Sequence, residues 1–372
     1  MKALLVATVQ SHIAQFHKPL IRVLKEAGYE VHVAAKDNLS EKNGLKIRNV
    51  DHIFDIPFER SPFSSKNIGA YKQLKKIIAD EKYDIISCNT PVGGFLTRLA
   101  ARKSRKNGTK VFYTAHGFHF YEGAPKKSWL IYYPIEKWMA KYTDTLITIT
   151  LEDEMLAKKK HFRCNIRYIH GVGADAGKYL SVTSEENEQF RIENGYGERF
   201  VILCTGELNA NKNQKTVIQA VDELRKKYPE FLLLLAGNGP EEQNLCSLIA
   251  ELHMENHVIL LGYHTDLERY TNACDMVVSA SFREGLPLNI MEAMLCGKPI
   301  VASINRGHRE LIEDGKTGFL VSPCDVSAFA EKIEKLYQDE NLRQTIVGYE
   351  KVFITDFTMD AVAEELREVY EL

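Results

Sequence analysis

Paired cysteines are the first feature that this 372-residue sequence lacks: its seven cysteines are scattered, with no Cys-x-x-Cys spacing. Neither a disulfide framework nor a zinc site of that type is predicted, and buried reduced thiols are expected. The sequence also has no run of eighteen apolar residues, the length typical of a membrane-spanning helix. The apolar run after Lys2 ends at Ala7, which is too short for a signal peptide. We therefore expect a cytoplasmic protein, with a peripheral position on the inner face of the membrane left open.

Acidic and basic residues are unevenly divided along the chain, although the net charge is only −2. Residues 1–172 contain 29 Lys and Arg against 16 Asp and Glu, whereas residues 173–372 contain 19 against 34. Halves of opposite charge indicate two domains with different neighbours. The sign changes near Gly171 and Gly173, which are typical of a linker. We predict a first domain over residues 1–172 and a second over residues 173–355.

Short apolar runs alternate with segments of helical periodicity in both halves. In the first half, Ala3–Thr8 predicts a buried strand, and the apolar spacing that follows predicts one helix over Ser11–Ala27. The second series begins with a strand at Phe200–Thr205. This alternation is typical of a parallel sheet covered by helices on both faces. The predicted fold class is α/β, with two doubly wound, Rossmann-like domains.

The stretch Met276–Ser303 forms one strand–helix–strand unit within the second series. Pro287 is suited to the first position of the helix, because a missing N–H costs little there, and Gly297 is a typical helix end. Two carboxylates lie where the strand passes into the helix: Glu284 in the loop, and Glu292 about one turn into the helix, with seven residues between them. Ligands of open α/β sheets bind outside the carboxyl ends of the strands, so both carboxylates are candidate ligand contacts.

Two polar loops follow other strands of the second half. One runs from Gly206 to Lys212 and leads into a helix, and a helix N-terminus beside a lysine is suited to an anion. The other contains Gly237 and Gly239, which allow the backbone to approach a ligand closely. Alone, such a glycine loop is more often a plain turn than a phosphate site.

Several segments together resemble a known family. They are TGELNANKNQ, LAGNGPEEQNL, LLGYHTDLERYTNACDMVVSASFREGLPLNIMEAMLCGKPIVAS and EDGKTGFLV in the second half, with TAHGFHF and SWLIYYPIEKW in the first. They resemble the retaining glycosyltransferases of family 4, which have the GT-B fold of two Rossmann-like domains facing a central cleft. SWLIYYPIEKW resembles the acceptor-side helix of the bacterial capsular and exopolysaccharide branch. The likeness covers nearly the whole chain, and it implies that residues 356–372 form a helix crossing back to the first domain.

The resemblance assigns roles to individual residues. Glu284 would bind the transferred sugar and Glu292 the ribose hydroxyls of the nucleotide, which suits a group that only accepts hydrogen bonds. Lys212 would hold the diphosphate, and His116 would come from the first domain to the reacting sugar. Glu284, His116 and Lys212 are thus the catalytic candidates. The further donor-binding candidates are Gly206, Gly237, Gly239, Arg283, Gly285, Leu286, Pro287 and Leu288.

The sequence departs from the family pattern at two places. Glu207 stands where an arginine commonly follows Gly206, and a carboxylate cannot clamp a diphosphate. Thr8-Val9-Gln10-Ser11-His12 replaces a usual glycine pair, which affects the acceptor side. There is no Asp-x-Asp, and a lysine can neutralise a diphosphate as Mg²⁺ does, so neither a metal nor another cofactor is expected.

The implied function is transfer of a sugar from a nucleotide-diphospho-sugar, with UDP as the expected nucleotide, to a glycan acceptor. The expected acceptor is a lipid-linked intermediate of capsular or exopolysaccharide synthesis. Basic clusters of the first half favour an anionic membrane surface, although charge runs are as often simply solvated. No nucleic-acid-binding motif accompanies them, so nucleic acid is not an expected partner. These clusters are Lys72–Lys76, Arg98–Lys110 and Lys158–Arg163.

Two alternatives remain open from the sequence. One is an inactive or weak GT-B scaffold protein, in which Glu207 marks a weakened diphosphate site. The other is a nucleotide-sugar epimerase of the same fold, against which the paired Glu284 and Glu292 argue. In the first domain, the lone histidines, including His12, His17 and His119, are more often surface or satisfied core groups than functional ones.

Overall fold

A computed structural model describes residues 1–41 and 44–372 as two compact units. The first domain consists of Met1–Gly173 together with Met359–Leu372, and the second consists of Ala174–Thr358. The sequence-based boundaries were placed after residues 172 and 355.

The first domain is built on a seven-stranded parallel sheet with the strand order β3-β2-β1-β4-β5-β6-β7. Its strands are β1 Lys2–Val9, β2 Glu30–Lys36, β3 His52–Asp55, β4 Ile85–Asn89, β5 Lys110–Ala115, β6 Thr145–Thr148 and β7 Asn165–Tyr168. Its helices are α1 Gln10–Phe16, α2 Lys18–Glu26, α3 Lys66–Glu81, α4 Pro91–Ala100, α5 Arg102–Lys106, α6 Lys126–Met139, α7 Leu151–Lys159 and the C-terminal α17 Met359–Tyr370.

The second domain is built on a six-stranded parallel sheet with the strand order β10-β9-β8-β11-β12-β13. Its strands are β8 Phe200–Thr205, β9 Phe231–Ala236, β10 Val258–Gly262, β11 Met276–Ser279, β12 Ile300–Ser303 and β13 Phe319–Val321. Its helices are α8 Ala176–Tyr179, α9 Ser184–Glu193, α10 Gln214–Arg225, α11 Glu242–Glu251, α12 Leu267–Ala273, α13 Leu288–Leu295, α14 Arg306–Leu311, α15 Val326–Gln338 and α16 Glu340–Phe353.

Buried apolar strands form the core of each domain. Every residue of β9, FLLLLA, and of β4, IISCN, is buried, as expected for parallel strands covered on both faces. Fully burying one leucine stabilises a fold by about 1.5–3 kcal/mol, so these strands contribute much of the stability. Both sheets reverse their strand order once, between β1 and β4 and between β8 and β11. The predicted pair of doubly wound Rossmann-like domains is confirmed.

The predicted helix over Ser11–Ala27 is wrong, because two helices occupy this segment. α1 ends at Phe16 and α2 begins at Lys18, with Pro19 in its first turn. Proline lacks the N–H for the helical hydrogen bond, and its ring clashes with the carbonyl four residues earlier. The chain therefore breaks at His17, whose φ of −117° is not helical.

The C-terminal helix α17 belongs to the first domain and packs against α2. Arg22 of α2 donates to the Asp360 carboxylate at 2.7 Å. At the other end, the Tyr370 ring stacks on Phe112 of β5 at 4.1 Å, and its hydroxyl hydrogen-bonds Ser87 of β4 at 2.7 Å. Val362, Ala363 and Leu366 of α17 are also buried, so apolar and polar contacts together hold the end of the chain in the first domain.

The structure also bears on two expectations drawn from absences. Among the described residues, no helix is long and apolar enough to cross a membrane. All seven cysteines are unpaired thiols, of which Cys246 and Cys324 are exposed and Cys88, Cys204 and Cys274 are buried.

Candidate functional site

The switch point of the second sheet brings together the two loops that carry Lys212 and Glu284. The loop 206–213 follows β8 and the loop 280–287 follows β11. These two strands are neighbours, and the strand order of the sheet runs in opposite directions from them. The crevice at such a switch point is the usual ligand site of doubly wound folds. Asn211 ties the loops together, because its side chain donates to the Arg283 carbonyl at 2.9 Å and its own carbonyl accepts from the Phe282 N–H at 2.8 Å.

Lys212 and Glu284 form a direct ion pair across this crevice. Nζ of Lys212 lies 2.7 Å from Oε1 of Glu284, and the two side chains are 21% and 14% exposed. A partly buried pair of this kind is held more firmly than a surface pair, because water screens it less. A cation and a hydrogen-bond acceptor are thus held side by side at the switch point of the sheet.

His308 of α14 is close enough to this pair for both charges to act on its ring, and it was not found from the sequence. Its Nδ1 donates to the Ser303 carbonyl at 2.7 Å, and its Nε2 is buried without a hydrogen-bond partner among the described residues. Burial lowers the pKa of His308 to about 4, although the charge of Glu284 opposes this shift. His308 is therefore neutral at pH 7, and its buried Nε2 is not used in a hydrogen bond within the described residues.

The glycine loops of the second domain are packed backbone to backbone. A Cβ on Gly237 would lie 2.0 Å from the carbonyl oxygen of Gly206, and one on Gly239 would lie 2.2 Å from that of Leu208. A Cβ on Gly206 would lie 2.9 Å from Cε of Lys212, so this glycine makes room for the lysine. The absence of side chains at these positions is explained by packing that holds the Lys212 loop in place.

Glu292 lies in a different environment, on α13. This helix begins at Leu288, and Pro287, which was predicted to be the first helical residue, is its N-cap one position earlier. The hydroxyl of buried Tyr179 hydrogen-bonds the Glu292 carboxyl. Burial raises the pKa of Glu292 to about 7, outweighing the hydrogen bond from Tyr179, which lowers it.

Of the remaining donor-binding candidates, Pro287 is buried, and the others lie in the loop after β11 or, for Leu288, at the start of α13. Arg283 is exposed, and Gly285, Leu286 and Leu288 are partly exposed. Glu207, which replaces the usual arginine, is also exposed, and its carboxylate accepts from Asn209 at 3.0 Å. Its side chain is therefore engaged with its own loop.

His116 follows β5 in the first domain and lines a cavity of about 190 Å³. Oδ1 of Asn89, at the end of β4, lies 3.2 Å from its Nε2. Burial lowers the pKa of His116 to about 4, so the ring is neutral at pH 7. The cavity also adjoins the switch point between β1 and β4. It is lined by His12, Thr90, Pro91, Tyr113, His116, Gly117, Phe118, His119, Phe120, Tyr132 and Glu136.

Two further histidines lie against His116. The ring centroids of His12 and His17 are 4.6 Å and 5.6 Å from that of His116, both edge to face. Nε2 of His17 lies 3.2 Å from Nδ1 of His12. Burial lowers the pKa values of both well below the usual range for histidine. His12 and His17 thus do not fit the expectation of lone, separate histidines.

Two family profiles match this chain and leave little of it uncovered. The profile described as "Glycosyl transferase 4-like" matches residues 2–150, and "Glycosyl transferases group 1" matches residues 185–352. A putative glycosyltransferase of Bacillus subtilis (strain 168), EpsD, is 42% identical over 371 residues, covering 99% of this chain and 96% of that protein. The chain belongs to the family 4 glycosyltransferases. The prediction of a hexosyltransferase-type enzyme is confirmed at the level of the family.

Two more distant proteins extend the comparison. The UDP-Gal:alpha-D-GlcNAc-diphosphoundecaprenol alpha-1,3-galactosyltransferase of Escherichia coli is 25% identical over 319 residues, covering 83% of this chain and 82% of that protein. The crystal structure of Anabaena Alr3699/HepE in complex with UDP and glucose superposes with a TM-score of 0.82 at 22% identity, covering 100% of this chain and 99% of that one. This structural likeness confirms the predicted GT-B fold.

Proposed function

We propose that this enzyme transfers a sugar from a UDP-sugar to a lipid-linked glycan, with retention of the anomeric configuration. The ion pair of Lys212 and Glu284, 2.7 Å apart at the switch point of the second sheet, carries the proposal. The resemblance assigns the diphosphate to this lysine and the transferred sugar to this glutamate. UDP is favoured because HepE, of the same fold, was crystallised with UDP and glucose.

In the proposed reaction, the bond between C1 of the sugar and the diphosphate oxygen breaks, and a new bond forms to the acceptor hydroxyl on the same face. The hydroxyl proton passes to the departing diphosphate, so UDP leaves with the electron pair of the broken bond. Lys212 stabilises the negative charge that develops on this leaving group. We propose that the lysine makes a metal ion unnecessary, and that transfer needs no other cofactor.

We assign the acceptor to the first domain. His116 and the cavity beside it combine neutral imidazoles, the Tyr132 ring and the Glu136 carboxylate. Aromatic faces and a few polar groups are what sugar-sized ligands use. The E. coli relative acts on a GlcNAc attached to diphosphoundecaprenol, which supports a lipid-linked acceptor and a role in polysaccharide synthesis.

The outer face of α6 is suited to such an acceptor, because it is both apolar and basic. Leu130 is 78% exposed and Trp138 42% exposed, and Ile131 and Ile135 share their side of the helix. Lys126, Lys127, Lys137 and Lys141 are exposed on or beside the same helix. Because these apolar residues are exposed beside the lysines, we propose that α6 rests on an anionic membrane surface.

The first test is a thermal-shift screen of UDP, GDP, ADP and their common sugar conjugates. A ligand at 100 times its Kd should stabilise the protein by about 2.7 kcal/mol, a visible rise in Tm. We expect UDP and one UDP-sugar to raise Tm in the wild type and in Lys215→Ala, which changes an exposed lysine of α10. Lys212→Ala should lose the shift. If no nucleotide stabilises folded wild-type protein, the proposal fails and the scaffold alternative is favoured.

The second test measures transfer from the UDP-sugar so identified into a membrane lipid extract. Loss of one preorganised stabilising group typically lowers the rate about 10²–10³-fold, so Lys212→Ala and Glu284→Ala should each lose about that much. Near-wild-type turnover of Glu284→Ala at saturating donor would contradict its assigned role. A glycoside product supports the transferase, whereas an altered free sugar with UDP would identify an epimerase.

A further inference from the structure

The histidine cluster of the first domain, His12, His17 and His116, has the composition of a transition-metal site. Each ring offers one nitrogen, and these nitrogens all lie within 4.8 Å of one another. Neutral imidazole is a preferred ligand of Zn²⁺ and related ions, and three histidines with one open position form a known type of zinc site. The three rings come from α1, from the break before α2 and from the loop after β5, so the fold itself assembles them.

The spacing of His12 and His17 fits two ligands of one ion. Two imidazole nitrogens at 2.0–2.1 Å from a tetrahedral zinc ion lie roughly 3.3 Å apart. Nδ1 of His12 and Nε2 of His17 are 3.2 Å apart. This distance also fits a hydrogen bond between the two rings, in which one nitrogen carries a proton. Metal binding needs that proton to move to the other nitrogen of its ring, a change of tautomer without net loss of a proton.

The surroundings of the cluster provide a supporting contact and an entrance. Oδ1 of Asn89 accepts from Nε2 of His116 at 3.2 Å, which leaves Nδ1 of His116 with the free lone pair. Such a partner on the far nitrogen is typical of metal-bound histidines. His12 and His116 line the 190 Å³ cavity, so an ion can reach them, and its fourth position would face this cavity.

We propose that His12, His17 and His116 bind one Zn²⁺-class ion, and that this ion inhibits sugar transfer by occupying His116. The inhibition rests on the proposed function, because it requires that His116 acts on the reacting sugar. Binding of the ion to the three histidines does not depend on the proposed function. This metal site does not conflict with the metal-independent reaction proposed for Lys212. The ion would occupy His116 and inhibit transfer, and it would not assist the reaction.

Cobalt(II) is the probe, because its d–d absorption reports the coordination geometry without any enzyme assay. We expect one equivalent of Co²⁺ to give an intense tetrahedral spectrum with the full-length wild type, and one equivalent of Zn²⁺ to displace it. His12→Gln and His17→Gln should weaken binding at least about 10–100-fold, the loss that even supporting residues of metal sites cause. His52→Gln, which changes an exposed histidine of the same domain, should bind as the wild type does.

Four other results would each overturn the proposed metal site or its inhibitory role. The absence of a spectrum, or a spectrum retained by both His12→Gln and His17→Gln, overturns the site. Cobalt–thiolate absorption in the near ultraviolet would place the ion on exposed Cys246 or Cys324 and overturn it as well. Because buried His17 could be needed for folding, the partly exposed His12 variant is the decisive one. In the transfer assay, zinc should inhibit the wild type and lose potency on His12→Gln, whereas binding without inhibition would overturn the inhibitory role and the assignment of His116.

Discussion

Among single residues, Glu292 combines a partly buried carboxyl with the ribose-binding role that the family resemblance implies. Burial raises its pKa to about 7, so near neutral pH it is divided between a protonated and an ionised form. Ribose hydroxyls donate hydrogen bonds, and only the ionised carboxylate accepts them with both oxygens. Donor binding and ionisation of Glu292 should therefore favour each other.

We predict that the protein binds UDP more weakly as the pH falls below 7. If only the ionised form binds, the apparent affinity decreases in proportion to its population, which approaches about tenfold per pH unit. Calorimetry between pH 5.5 and 8.5 measures this dependence. Glu292→Gln is the control, because it removes the carboxyl while the titration of UDP itself stays the same. Equal pH dependence in both proteins would contradict the role of Glu292.

The sequence predicts some residues of the proposed donor site but not the residues that contact them. Lys212, Glu284 and Glu292 lie in motifs that follow strands, and topology alone places such loops at one edge of the sheet. Their partners could not be predicted in this way. Tyr179 comes from the separate short helix α8, and His308 lies in the short helix α14, between the segments that carry the family motifs. Both contacts depend on packing in three dimensions, which periodicity does not report.

At the scale of elements, the packing of the glycine loops should affect both the stability of the second domain and the proposed binding of the donor. Gly237 has a φ of +148°, and a Cβ there would lie 2.0 Å from the carbonyl oxygen of Gly206. Gly237→Ala must therefore push the 206–213 loop away, and with it Lys212. We predict a loss of stability of about 1–3 kcal/mol and a loss of the UDP-induced thermal shift. Both are measured by thermal unfolding with and without UDP.

Gly348→Ala is the matched control for this substitution. Gly348 lies within α16, and a Cβ there would meet nothing within 4 Å. Alanine in such a position should stabilise the helix by about 0.5–1 kcal/mol and leave the UDP shift intact. If Gly237→Ala binds UDP as well as Gly348→Ala does, the loop packing does not position Lys212.

The histidine cluster shows why element boundaries matter for sites. In one continuous helix, residues five positions apart point about 140° away from each other, so His12 and His17 would not meet. Pro19 ends this continuity, and the break at His17 turns its ring toward His12. The proline was visible in the sequence, but the direction of the chain after it was not, because that direction is set by packing on the sheet.

At the scale of the whole molecule, the charge asymmetry follows the structural domains. With α17 included, the first domain has 30 Lys and Arg against 21 Asp and Glu, and the second has 18 against 29. The acidic tail thus reduces the positive charge of the first domain without removing it. Within this domain, exposed lysines and exposed apolar residues occur together on α6, and this combination supports the proposed membrane-binding face.

We predict that the full-length protein binds vesicles containing anionic lipid and not vesicles of zwitterionic lipid alone, because each Lys or Arg near an anionic surface contributes about 1 kcal/mol. Added salt should weaken this binding, since it screens exposed charges. Replacing Leu130 and Trp138 by serine should lower vesicle affinity about tenfold or more, because each inserted side chain contributes about 1.5–3 kcal/mol. Val352→Ser, which changes a 75% exposed residue of the second domain, should leave binding unchanged. Vesicle co-sedimentation measures all three proteins, and equal binding by the α6 variant would show that charge alone, without insertion of this helix, brings the enzyme to its acceptor.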